Sequence, residues 1–461
     1  MGLVTADGSG RKGQSASGVS KVNSVFSTRG VRALLCGSLA AAGAVACGSE
    51  PSAQKTDSVE LGVILPFTGR EAALGRNIEQ ALILAVEDVN AAGGAGSKPL
   101  SLVTRDSHSG SERGVDELLD LLYTDEVKYL IGPEETELAN EVVRDVKALN
   151  IFNMLPGYAA PKIERSGSSG AWMRLAPSTF MVGCAMAKFA VKQGADTLNT
   201  LASTEDYNLA LSNELVAQFR SAGGTWMPSV TVDPETESFK RPLSDVFESH
   251  PDRTALIASP GTAAEIVTEW VVGGRHGHWY LSPLLRAEAF LFNVPFGSID
   301  GTYGLSPSSS LPSECAGIGG EQGSVKCTRK NSDRFAEHFS DRWDGDRPLP
   351  ASRLYYDSVV LVAMGMRYAM AVDGKQPTAT RLHQLIRNMN ASDSEPAQWY
   401  ALEKAMKAVD GGEARRYVGA GTEYSFDEYG AAKHVVYDVW KVKGQGFVET
   451  GSFYVDCKEI L

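Results

Sequence analysis

Beyond residue 58 the chain alternates short apolar runs with stretches of helical period, and this alternation limits the possible folds more than any other feature. Val59 to Leu65 is an apolar run closed by Pro66, after which Ile78, Leu82, Ala85 and Val89 recur at helical spacing until Gly93 and Gly94 stop them. The unit repeats: strand Leu100–Val103, a helix with Leu118, Leu119 and Leu122, strand Val127–Ile131, a helix with Leu138, Val142, Val146 and Leu149, and strand Ile151–Leu155. A second set starts near Trp172. Its strands are Leu198–Ser203, Val230–Val232, Ala255–Ser259 and Trp279–Leu281, separated by helices Phe180–Gln193, Leu209–Ala222, Phe239–His250 and Ala263–Val272. Such βα repeats with short connections imply an α/β fold of two doubly wound parallel-sheet lobes, one after the other.

The first 46 residues are of another kind. Arg11, Lys12, Lys21, Arg29 and Arg32 stand against one acid, Asp7, and Ala33 to Ala46 carries no charge. Fourteen residues rise about 21 Å as a helix, short of the ~30 Å hydrocarbon core, so residues 1–46 read as an export signal peptide. The segment ends Ala44-Val45-Ala46-Cys47-Gly48, which resembles a lipoprotein cleavage site with Cys47 as the lipidated residue, although Ala44 replaces the usual leucine. An ordinary cut after Ala46 is the alternative. Residues 47–57 are a polar tether. Lys plus Arg is 44 against 56 Asp plus Glu, a formal charge of -12, and no basic patch invites nucleic acid.

A set of short motifs then carries a resemblance. Leu65-Pro66-Phe67-Thr68-Gly69, Leu74-Gly75, the run Ala85 to Gly94, Asp106, Ile131-Gly132-Pro133, Arg174 to Ser178, Tyr355-Tyr356-Asp357 and Gly419 to Gly430 occur in the order found in type 1 periplasmic binding proteins of the leucine/isoleucine/valine-binding family. The chain resembles that family over about residues 59–450. The resemblance implies two lobes joined by three crossovers, placed near Ala176–Pro177, Asp300–Gly304 and Tyr417–Gly421, with a solute held between them. Lobe one is then expected at 58–176 and 302–418, lobe two at 177–301 and 419–461. It further implies a monomeric, non-enzymatic receptor without cofactor, working with the membrane permease of an ABC importer and held to the membrane by its lipid anchor. A ligand-sensing lipoprotein that signals to a membrane partner is the alternative, and a cleft hydrolase a weaker one.

Ligands of open α/β sheets lie beyond the carboxyl ends of strands. The candidate solute-binding residues there are Leu74, Thr136, Tyr158, Ala159, Tyr207, Ser259 and Ser282. In the similar family, a serine and a threonine hold a carboxylate at the positions of Thr136 and Ala159; one hydroxyl is kept and one lost. Thr136 also fits an ordinary helix start, and Tyr158 and Tyr207 fit half-buried aromatics as well as stacking platforms. The segment Tyr280 to Leu285 has no acid for an ammonium, and Glu134 and Glu135 would repel a carboxylate. Branched-chain amino acids are therefore disfavoured, which leaves a neutral, amide-like, aromatic or cationic solute.

No GxSxG, HExxH, P-loop or SxxK with KTG motif supports catalysis. His276 and His278 lack a third ligand for a metal. Cys315, within the Gly- and Ser-rich insert Ser306–Val325, and Cys327, at its end, are expected to form a disulfide, with Cys184 or Cys457 as alternative partners. Cys184 otherwise reads as a buried, inert thiol.

Overall fold

The computed structural model describes residues 57–69, 71–96, 98–110, 112–157, 172–318, 323–391 and 393–457. The expected signal peptide, Cys47, and the candidate residues Tyr158 and Ala159 lie outside the described residues.

The first five strands, β1 Val59–Leu65, β2 Leu100–Asp106, β3 Tyr129–Ile131, β4 Phe152–Leu155 and β5 Trp172–Arg174, form one sheet in the order β2-β1-β3-β4-β5, all pairs parallel. Apolar residues cover both faces. One core joins Leu61, Val63 and Met154 to the helices Ala72–Ala91, Pro350–Asp373 and Ala379–Met389; the other joins Ile64, Leu130 and Leu155 to Glu112–Tyr123. This two-sided burial is why these strands read as continuous apolar runs.

The second sheet begins with β6 Thr197–Ser203, β7 Thr225–Trp226, β8 Val230–Val232, β9 Arg253–Ile257, β10 Trp279–Leu281 and β11 Tyr303–Pro307, which pair in parallel. It continues antiparallel through β12 Cys315–Ala316, β13 Gly323–Cys327, β16 Val436–Lys443 and β17 Gly446–Tyr454. A small parallel pair, β14 Glu395–Gln398 and β15 Arg415–Val418, lies between these in sequence.

Two expectations need correction. Lobe one was expected to resume at 302, yet β11 hydrogen-bonds to β10 and β16, and β13 to β17, so the chain leaves the second sheet only after Cys327. Residues 419–432 were assigned to lobe two, but Ala420, Tyr424 and Ala432 pack in the first core and Ala431 bridges Arg174 beside β5. Cys315 and Cys327 face one another across a short antiparallel ladder, the arrangement the expected disulfide needs. In each case long-range pairing outweighs a local pattern that is weak or rich in Gly and Ser.

The cysteines also resolve. Cys315 is bonded to Cys327, and Cys184 to Cys457 across a sequence separation of 273. Cys184 is therefore not a free thiol; its helix, Thr179–Lys192, is tied to the segment that follows β17.

Candidate functional site

The carboxyl ends of β1, β2 and β3 build one wall. Asp106, at the end of β2, accepts from the backbone N–H groups of Phe67 (2.9 Å), Thr68 (3.2 Å) and His108 (2.8 Å) and from Thr68 Oγ1 (2.7 Å). Burial raises this carboxyl's pKa, but these bonds outweigh it and hold it below the usual range. After β3 the chain turns through Gly132, whose φ of +93° suits glycine, and Asn153 Nδ2 fixes the Gly132 carbonyl at 2.9 Å.

That turn delivers two glutamates. Glu134 accepts a hydrogen bond from Tyr355 Oη at 2.8 Å, and Glu135 Oε1 accepts one from Ser107 Oγ at 2.5 Å. Burial, opposed by the Tyr355 bond and reinforced by Glu135 and Glu71, pushes Glu134 up to about 8. Glu135 is likewise raised by burial, against the Ser107 bond. Neither glutamate has a Lys, Arg or His within ion-pair distance among the described residues, and Glu135 Oε2 is buried without a partner there.

The facing wall comes from the ends of β10 and β11. Arg286, just beyond β10, donates to Ser306 Oγ (3.0 Å) and pairs with Asp438 (3.2 Å) and Glu449. Arg329 pairs with the same two acids. The Pro350–Asp373 helix wedges its first two turns between the walls: Tyr355 reaches Glu134, while Arg353 senses Arg286, Arg329 and Asp438. A second link is Asn140 Nδ2 to Asp206 Oδ2 at 2.7 Å.

The expected residues fall unevenly. Thr136 is buried at the start of a helix of only six residues, Thr136–Glu141. Leu74 is half-buried against the first core. Tyr207 is 5% exposed and packs in the core of the second sheet, so its ring lies against protein rather than open to a solute. Ser259 precedes the Pro260–Val272 helix without a side-chain capping bond and shares a hydrogen bond with the Thr262 hydroxyl at 3.0 Å; Ser282, after β10, is fully buried and its hydroxyl has no partner among the described residues. His276 and His278 are exposed, and no group of three or more metal-ligating side chains occurs among the described residues. Reading the sequence missed Arg353 and Arg286, because an isolated arginine carries no local signal of burial.

Two α/β sheets, with one helix that reaches Glu134 beside the first and the arginines beside the second, have the build of a two-lobed binding protein. Residues 58–410 match the periplasmic binding protein family, and the chain belongs to it. The fold is similar to that of a leucine-binding protein from Thermotoga maritima (18% identity, 86% of this chain and 99% of that one, TM-score 0.67). It is also similar to a solute-binding protein of an ABC transporter from R. palustris in complex with benzoate (18% identity, 87% and 98% covered, TM-score 0.64). A chemotactic signal transduction system substrate-binding protein, BasB, of Halobacterium salinarum is 26% identical over 227 residues, 48% of this chain. The match spans about half, 54%, of that relative's length.

Proposed function

We propose that this protein is an exported solute-binding receptor that captures a small molecule between its two lobes and delivers it to the permease of an ABC importer. The observation that carries the reading is the seam itself: glutamates from the first sheet and arginines beside the second meet at the first turns of one helix, Pro350–Asp373. Ligand-binding sites are expected where strand ends converge between lobes. Lobe one comprises the first sheet with residues 330–432, and lobe two the second sheet with its helices. Thr136, Ser259 and Ser282, with Tyr158 and Ala159 from the segment outside the described residues, are proposed to complete the lining. Cleavage before Cys47 and its lipidation would hold the protein to the membrane. Among the described residues no helix is long and apolar enough to cross one. The protein binds without chemical turnover.

A signalling receptor is the second reading, favoured by the likeness to the chemotactic protein. Small-angle scattering with and without solute tests capture, and reconstitution with the neighbouring permease tests delivery. A radius of gyration unchanged by every solute that shifts the melting temperature would overturn lobe closure; uptake that does not depend on this protein would favour signalling.

A further inference from the structure

Two of the crossovers between the lobes run side by side, and the pair is fastened at both ends. On the side of the first sheet, Ala431 bridges Arg174 in parallel: the Arg174 N–H donates to the Gly430 carbonyl at 2.9 Å and the Ala432 N–H to the Arg174 carbonyl at 2.9 Å. On the side of the second sheet, the Val455 N–H donates to the Val435 carbonyl at 2.9 Å. Two residues further on, Cys457 is bonded to Cys184 in the Thr179–Lys192 helix, which the first crossover enters. Relative motion of the lobes therefore falls on the residues between these fastenings, 175–178 and 433–435. Neither stretch holds a glycine, and Pro177 has a fixed φ.

A side chain spans the gap between the two stretches. His434 lies in the second, 5% exposed, and its Nε2–H donates to the Leu175 carbonyl in the first at 2.8 Å. A carbonyl only accepts, so the proton sits on Nε2. Burial, partly offset by this bond, lowers the imidazole to about 4, and the ring is neutral at neutral pH. Separating the crossovers would strand a buried donor and a buried acceptor together, which is costly. We infer that His434 is the strap of the hinge: it makes the first and third crossovers bend as one and so sets how far the lobes part before solute arrives. This rests on the reading of a receptor whose lobes move, and it names the residue that governs the motion. His434 is a positioning residue, acting on the lobes through their connecting backbone; a hinge that populates the binding-competent pose less lowers apparent affinity in proportion.

The test is hydrogen–deuterium exchange, with small-angle scattering, on the whole purified protein dialysed free of solute, for the native chain, His434→Phe and His434→Gln. Phenylalanine fills the space and removes the donor; glutamine keeps an N–H donor at similar reach. In His434→Phe the amides of residues 172–178 and 430–436 should exchange about tenfold faster, with a larger mean radius of gyration, while those of β1, β3, β6 and β9 keep native rates. His434→Gln should restore most of the protection. Unchanged exchange in both variants would overturn the strap. So would a rise spread evenly over both sheets, the sign of lost packing alone, or an equal loss of protection in both variants, which would assign the effect to the shape of the ring. Because the test uses no solute, its failure leaves the receptor reading standing; that reading falls by its own measurement, scattering with and without solute.

Discussion

The Asn140 side-chain amide donates to the Asp206 carboxylate at 2.7 Å, joining the short helix after β3 to the start of the Asp206–Ser221 helix of the other sheet. Apart from the crossovers, this is a direct polar tie between the two lobes. A hydrogen bond to a charged group contributes about 1.5–3 kcal/mol when buried, and this one is partly exposed. Asp206→Ala and Asn140→Ala should each lower solute affinity by about fivefold, roughly 1 kcal/mol, through faster dissociation and with a larger mean radius of gyration. Equal dissociation rates in stopped-flow would show that the tie does not hold the closed state.

Asp357 should be a keystone of stability. It is fully buried, and its carboxylate accepts from Tyr417 Oη, Tyr424 Oη and the N–H groups of Ala420 and Gly421, at 2.7 to 2.9 Å. Asp357→Ala strands four donors, and each buried unsatisfied group costs about 1–3 kcal/mol. We expect at least about 3 kcal/mol of destabilisation in urea unfolding. A change within experimental error would show that the segment after β15 repacks freely.

The two disulfides should differ in weight. In the chain-entropy model, the loop closed by Cys315 and Cys327, 12 residues apart, gives about 3 kcal/mol, and that closed by Cys184 and Cys457, 273 apart, about 5.6 kcal/mol. Cys184→Ser with Cys457→Ser should therefore lower the melting temperature more than the pair at 315 and 327. Non-reducing peptide mapping should recover both links; free thiols at these positions would remove the premise.

Stability should fall from about pH 5 toward about pH 8, because two raised carboxyls outweigh one lowered histidine. Burial raises Glu134 to about 8 and Asp357 to about 7, so the folded state holds protons that the unfolded chain releases, and stability falls as pH rises through those values. His434 works on the other side: burial, partly offset by its bond to the Leu175 carbonyl, lowers it to about 4, and its contribution is lost as pH falls from its ordinary value toward 4. Denaturant midpoints across pH 4 to 9 give the profile. Glu134→Gln should flatten the alkaline limb; a limb unchanged in that variant would assign it to other groups.

Local pattern made most of the fold legible. Val59–Leu65, Val230–Val232 and Trp279–Leu281 are strands at the limits expected from the sequence, because short apolar runs closed by turn residues state their own ends. The antiparallel extension through β12 and β13 was not legible, since a Gly- and Ser-rich stretch becomes a strand only when β17 offers its edge. At the site, the loop after β3 was found through its motif, but whether Glu134 faces water or protein was not.

The sequence by itself determined the alternation of strands and helices and the family, because hydrophobic period and turn chemistry are properties of neighbouring residues. Only the tertiary structure decided that Cys184 meets Cys457, that Tyr355 reaches Glu134 across 221 positions, and that Arg353 is half-buried beside Arg286, Arg329 and Asp438. Burial and pairing depend on which distant segments pack together, and the charge state of a carboxyl or guanidinium follows from that packing rather than from its place in the chain.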